Sequence, residues 1–315
     1  MYGYDNYQRV KEIIAERRQT AIAEADARNL DLRERNEDIR LIDRELVSTG
    51  LRLFKEACVG GDVEGVKARN LALMKSRTEI LASLGLPEDY TEPQFTCRVC
   101  SDTGFEGARM CSCFRELLLK ENIKSSGIGA LIERQSFDNF STKDTDPEIA
   151  KSLRRNKKEA QRFVAEFESK ERTRNLVLIG KTGTGKTHIS TAIAKELIER
   201  GYEVLYDSAE NILQAFVNDR FADRLRAHEP ESTKYLECDL LIIDDLGSEF
   251  INNLTVSCLY NLLNTRLNRA LGTVISTNLS PSEVSDRYDD RIYSRLFGSD
   301  STVLMFEGKD KRIFK

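Results

Sequence analysis

The chain lacks several things that would place it quickly. No apolar run approaches 18 residues, and the opening stretch from Met1 to Ile14 has no apolar h-region. Neither a membrane-spanning helix nor a standard export signal is expected, and a cytoplasmic protein is. Proline does not occur before residue 87, and only two histidines occur among 315 residues, neither near the four clustered cysteines at 97–113. A net charge of −4 gives no global basic field, so any nucleic-acid contact has to be local.

What is present is a heavily ionic chain, 32% charged and 40% apolar, long enough for about two domains. Residues 1–90 are rich in Glu, Arg, Leu and Ala. Ile39, Ile42, Leu46 and Leu53 fall near a helical stripe, and "GGDVEG" from Gly60 to Gly65 breaks it before a further helix that runs to about Leu84. The pattern predicts two or three helices in a hairpin or small bundle. With few aromatic residues its core is thin, so both a solvated scaffold and a partner-docking module fit it.

A proline-containing linker, Gly85 to Phe95, leads into the segment 91–125. Four of the seven cysteines crowd there as C-x₂-C-x₁₀-C-x-C: Cys97, Cys100, Cys111 and Cys113. Without an export signal such a cluster favours a metal over disulfides. Four thiolates with no histidine nearby make a closed structural Zn²⁺ site, leaving no open position for catalysis. An iron–sulfur cluster and free redox thiols are the alternatives. Cys58, Cys238 and Cys258 stand singly in apolar contexts and are expected to be small buried residues.

From about residue 126 to 315 apolar strands alternate with helices, which predicts a parallel α/β sheet with helices on both faces. "NLVLIG" reads as a buried strand, and Gly180, Gly185, Lys186 and Thr187 satisfy G-x-x-x-x-G-K-[ST] immediately after it. Backbone N–H groups in such a loop turn toward phosphate oxygens, the lysine reaches the β- and γ-phosphates, and the threonine places a hydroxyl on Mg²⁺. Gly183 inside the loop and His188 after it complete the candidate ATP-binding set. "LLIIDD" follows, with Asp244 58 residues beyond Lys186. Asp244 is expected to hold Mg²⁺ and Asp245 to polarise the attacking water, with Glu249 as a further candidate because Asp245 is one methylene shorter than glutamate.

"TVISTN" ends a further core strand in Asn278, whose amide is expected between the phosphate loop and the aspartates; a plain turn-forming Asn is the simpler role. "SPSEVSDRYDDRIYSRLF" reads as one helical stretch, with Arg287, Arg291 and Arg295 spaced i, i+4, i+8 along one face. A solvated charged stripe and an arginine offered to a neighbouring subunit explain that spacing equally well.

"GKTGTGKTH", "LLIIDDLGSE", "VISTNLSPSEV", "RYDDRIYSRLFG" and "FEGKDKR" occur in this order. In this the chain resembles bacterial replicative helicase loaders of the DnaC/DnaI type, AAA+ ATPases related to the initiator DnaA and the transposition helper IstB. The resemblance covers about Phe137 onward, and less specifically the helices and cysteines before it. It implies an AAA+ domain without a C-terminal helical lid, preceded by a helicase-docking half. By position it implies that Arg295 is the arginine finger and Arg312 the sensor-II arginine, which join Asp245 and Asn278, read from the residues themselves, in the expected catalytic site. The expected partners are a hexameric replicative helicase, single-stranded DNA and further copies of the chain through the AAA+ domains.

Three other readings stay open. A transposition helper would bind duplex DNA, an adaptor would use ATP structurally, and a small-molecule phosphotransferase would need a lid that the sequence does not show. For DNA, the basic stretch Arg154–Lys158 is a candidate contact, and a solvated helix face explains it too.

Overall fold

The computed structural model describes residues 4–59, 61–144, 146–169, 174–221, 230–308 and 310. The chain divides into two compact units, Arg9–Arg115 on one hand and Met1–Gln8 with Glu116–Lys315 on the other.

The Arg9–Arg115 unit is built on three helices, α1 (Tyr4–Arg35), α2 (Glu37–Val59) and α3 (Val63–Ser83). Val10, Ile14, Ala21, Ala25 and Leu32 are buried along α1. Their alternating four- and seven-residue spacing marks one helix face. The chain turns where side chains can cap: Asn36 Oδ1 accepts the Ile39 N–H at 2.9 Å, and Asp62 Oδ1 accepts that of Gly65 at 2.8 Å. Gly60, expected to help break the helix, lies outside the described residues. The stripe expected along α2 is present, with Ile39 buried and Ile42, Leu46 and Leu53 half-buried. Cys58 lies off that stripe and is exposed, so its expected burial is corrected; a thin core gives α2 only one inward face.

The thin core is reinforced by charge. The Asp43 carboxylate, 7% exposed, takes Arg33 Nε at 2.7 Å and Arg77 Nε at 2.8 Å, tying α1, α2 and α3 together. Removing Asp43 strands the Arg77 guanidinium, 16% exposed, in low dielectric, while Arg33 stays in reach of water. Asp43→Ala is therefore expected to lower stability by about 3 kcal/mol in chemical unfolding followed by helix signal. Lys75→Ala, which breaks the exposed Lys75–Glu79 pair at 3.9 Å, is expected to change nothing measurable.

After α3 the backbone of the segment expected as a linker is gripped by Arg28, whose guanidinium donates to the carbonyls of Tyr90 at 2.8 Å and Glu92 at 3.0 Å. A two-residue hairpin follows, β1 (Phe105–Glu106) against β2 (Arg109–Met110). It brings the second cysteine pair back beside the first. Helix α4 (Ser112–Ser125) leads out of the hairpin, and a short helix α5 (Gly129–Ile132) comes next.

The larger unit holds α6 (Pro147–Ala165), β3 (Asn175–Gly180), α7 (Lys186–Glu199), β4 (Val204–Ser208), α8 (Ala209–Phe221), α9 (Thr233–Glu237), β5 (Leu240–Leu246), α10 (Asn253–Asn268), β6 (Gly272–Thr277), α11 (Pro281–Arg287), α12 (Asp290–Phe297) and β7 (Ser301–Phe306). Its sheet has the order β4-β5-β6-β3-β7, every pair parallel. Both faces are covered, as the continuous apolar strands require. Leu176 and Leu178 of β3 point into the cluster formed with Phe163, Ile189 and Ile193. Val177 and Ile179 point the other way, to Ile212, Leu262 and Ile292. This is the parallel sheet with two helical layers that the alternation predicts.

One element differs. The stretch read as a single helix from Pro281 to Phe297 breaks at Tyr288–Asp289. Asp289 Oδ1 accepts the Ile292 N–H at 3.0 Å and starts α12 afresh. Aspartate is a strong helix starter because its carboxylate satisfies an otherwise orphaned donor. Arg287 therefore ends α11, while Arg291 and Arg295 stand on α12, and the single face of three arginines is corrected. Among the described residues no helix is long and apolar enough to cross a membrane.

Candidate functional site

The phosphate loop joins β3 to α7. Gly180 closes the strand so tightly against β7 that a Cβ there would stand 2.1 Å from the Phe306 carbonyl oxygen. Gly185, at φ 107°, starts α7 in a left-handed conformation beneath the Phe140 ring, where a Cβ would come within 3.0 Å. Between them Gly183 sits at φ 77°. These glycines leave the loop backbone free to face an anion.

Lys186 is buried and its ammonium is already engaged. It donates to the carbonyl of Gly180 at 2.5 Å, to that of Lys181 at 3.1 Å and to Asn278 Oδ1 at 2.7 Å. Asn278 follows β6, which lies between β3 and β5 in the sheet. The strand order thus brings the phosphate-loop lysine and the tip of β6 together.

Asp244, near the end of β5, is held through both oxygens. The Ser276 hydroxyl donates to Oδ1 and the Tyr206 phenol to Oδ2. The pairing register of β5 with β6 shifts between Ile243 and Leu246, and Asp245 falls in that irregularity at φ 52°. Its N–H donates to Ser276 Oγ at 3.0 Å, which leaves an exposed carboxylate beyond the ladder. Non-glycine residues rarely adopt this conformation, and aspartate is among the few that tolerate it.

Glu249 is turned inward. It is buried, accepts the Gly247 N–H at 2.7 Å and takes the Tyr288 phenol on its other oxygen. Burial first, and then the Glu249 charge, push the Tyr288 phenol upward, so it remains a donor. Glu249 is thereby committed to the fold. Asp245→Asn is expected to cut ATP turnover about a hundredfold or more while leaving ATP binding unchanged. Glu249→Ala is expected to retain turnover and lose about 2 kcal/mol of stability, because it orphans a buried phenol. Turnover and thermal unfolding measured side by side separate the two.

His188 Nε2 lies 2.9 Å from both the Ser136 carbonyl and Asn139 Oδ1, its ring edge-on to Phe140 at 5.2 Å. The segment Ser136–Phe140 therefore packs on the first turn of α7, a neighbourhood that local sequence spacing does not disclose. Tyr206 and Ser276, which hold Asp244, are two further residues that the sequence analysis missed. The only available signal was a hydroxyl-bearing residue on each strand flanking β5.

Arg295 on α12 reaches Asn264 Oδ1 from Nε and from Nη2, each at 3.1 Å, with its guanidinium 5.8 Å from the Tyr260 ring. Among the described residues it has no carboxylate partner, whereas Arg291 pairs with Asp289 at 2.6 Å. Arg312 lies outside the described residues. Of the basic stretch on α6, Arg154, Arg155 and Lys158 are exposed, and Asn156 is buried and donates to the Met305 carbonyl at 2.7 Å.

In the other unit the four cysteine sulfurs of the hairpin all lie within 4.8 Å of one another. Cys97 and Cys111 are 3.8 Å apart, Cys100 and Cys113 3.5 Å. Thiolates about 2.3 Å from a tetrahedral zinc ion stand roughly 3.8 Å from each other, so the set fits that ion. The Asp102 carboxylate accepts the N–H groups of Thr96 at 2.7 Å and Cys97 at 2.9 Å, shaping the first knuckle. Burial raises the Cys100 thiol, but the Gly104 backbone and the three neighbouring thiols bring it down to about 7.

A parallel sheet covered on both faces, with a glycine-rich loop, a lysine and an aspartate pair at one end of its strands, is an AAA+ P-loop ATPase. The family model for IstB-like ATP binding proteins matches residues 138–296, about half of the chain, and the chain belongs to that family. Among curated relatives, the replicative helicase loader DnaC of Escherichia coli (strain K12) is 26% identical over 192 residues, 61% of this chain and 75% of that one. The phage-like element PBSX protein XkdC of Bacillus subtilis (strain 168) is 27% identical over 249 residues, 74% of this chain and 89% of that one. Among solved structures, the DnaC helicase loader shares 20% identity over 56% of this chain and 98% of that one, with a TM-score of 0.47.

Proposed function

We propose that this chain is an ATP-dependent loader that brings a hexameric replicative helicase onto single-stranded DNA. The observation that carries the reading is the convergence of Lys186, Asn278, Thr187, Asp244 and Asp245 at one end of the sheet, in a chain that also holds a separate helical unit with a four-cysteine hairpin. Similarity to DnaC over most of that relative's length supports the choice of loader among AAA+ ATPases.

In this reading the loop from Gly180 to Thr187 cradles the ATP phosphates. Gly183 and Gly185 leave room for backbone contacts, and Lys186 exchanges its carbonyl partners for phosphate oxygens. His188 steadies the first turn of α7 beneath the nucleotide. Thr187 and Asp244 would hold Mg²⁺, which neutralises phosphate charge as the terminal bond breaks. Asp245 takes a proton from the attacking water, and Asn278, released by Lys186, orients that water. Arg295, which has no carboxylate partner among the described residues, serves the ATP of an adjacent copy as an arginine finger, and Arg312 is assigned to sensing the phosphates. Zn²⁺ on Cys97, Cys100, Cys111 and Cys113 is structural, fixing the Arg9–Arg115 unit that docks on the helicase.

The match to the IstB-like family favours one rival, a transposition helper that acts on duplex DNA. Equilibrium binding of the full chain with ATP to a labelled strand, alone and annealed to its complement, separates the two. The loader reading expects preference for the single strand. Preference for the duplex would move the assignment to the helper.

A further inference from the structure

The metal-binding corner of the nucleotide site contains a group that P-loop chemistry does not require. We propose that Tyr206 is a positioning residue for Mg²⁺, a phenol that fixes the Asp244 carboxylate for the metal. The proposal rests on the assignment of Asp244 given above.

Strand β4 runs parallel to β5 with Tyr206 opposite Ile242 and Ser208 opposite Asp244. From there the phenol donates to Asp244 Oδ2. Ser276 donates to the other Asp244 oxygen. One chain of hydroxyl and carboxylate groups therefore crosses β4, β5 and β6. A hydroxyl has one proton and two lone pairs, and each carboxylate oxygen has two acceptor positions. With the phenol and Ser276 each on one oxygen of Asp244, that carboxylate keeps a free acceptor position on both, in a fixed plane.

The phenol itself is anchored. β4 is an edge strand, yet the Tyr206 N–H donates to the Ser126 carbonyl at 2.8 Å. Gly127 comes so close behind it that a Cβ would stand 2.6 Å from the Tyr206 carbonyl oxygen. The ring also packs against the apolar cluster of Leu176 and Ile189, and a phenylalanine would keep that packing. The hydroxyl can thus be tested without emptying the space.

The test is equilibrium binding of a fluorescent ATP analogue to the full chain during a Mg²⁺ titration, for wild type, Tyr206→Phe and Asp244→Asn. In Tyr206→Phe the Mg²⁺ concentration giving half of the affinity gain is expected to rise about tenfold, the cost of one hydrogen bond to a charged group. Affinity in EDTA is expected to match wild type, and Asp244→Asn to lose the Mg²⁺ response. A Tyr206→Phe titration identical to wild type overturns the positioning role. So does an equal loss of affinity in EDTA, which means that the hydroxyl serves only the fold. A wild-type Mg²⁺ response in Asp244→Asn overturns the metal assignment itself, and the proposal with it.

Discussion

Lys186→Ala is expected to weaken ATP binding by at least about a hundredfold, since it removes two or more hydrogen bonds to charged oxygens. The contacts of Lys186 explain why the protein should still fold. The ammonium is held by two loop carbonyls and Asn278, and water can replace it at the exposed Lys181. The loss therefore falls on phosphate recognition rather than on the sheet, whose apolar clusters do not include Lys186. Fluorescence titration with an ATP analogue, alongside thermal unfolding without nucleotide, checks both halves. Affinity within about threefold of wild type would contradict the assignment of the loop, because one lost charged contact alone costs more than that.

Cys111→Ser is expected to have the other large effect, in the other unit. Cys111 is buried at 1% exposure, and its sulfur completes the set of four. Structural zinc contributes on the order of 10 kcal/mol to folding, comparable with the whole stability of a small domain. The Arg9–Arg115 unit has a thin core beside the Asp43 ion pairs, and one of its buried clusters consists of only Leu32, Ile39 and Leu81. Loss of zinc by substitution or strong chelation should make this unit sensitive to protease while ATP affinity stays at the wild-type value. Metal analysis, limited proteolysis and nucleotide titration on one sample test it. Four thiols that react freely in the native protein, with no change on chelation, would contradict a zinc-held hairpin.

Much of the larger unit was legible in the sequence because its signals are local. A buried apolar strand next to a glycine loop, and a second strand ending in two aspartates, carry their meaning within a dozen residues. The position of Asn278 followed from sheet order, and the order observed puts β6 where the expectation needs it. What escaped depends on residues far apart. Tyr206 and Ser276 meet Asp244 only across neighbouring strands. Glu249 looked available for chemistry, and only the fold shows that Tyr288 has claimed it. The break at Asp289 was misjudged for a different reason: spacing counts arginines along an ideal helix and overlooks a capping aspartate that restarts it. Cys58 was misplaced because an apolar neighbourhood in sequence is not an inward face in a unit with a thin core.

The central claim is that an ATP-driven switch is joined to a helicase-docking unit. Size-resolved binding of the full chain to the hexameric replicative helicase of the same organism tests it most directly, with wild type and Lys186→Ala each compared with and without ATP. The account predicts a complex in all four conditions, with ATP changing the capture of single-stranded DNA by wild type only. Absence of any complex, together with ATP-dependent assembly of wild type on duplex DNA, would contradict it.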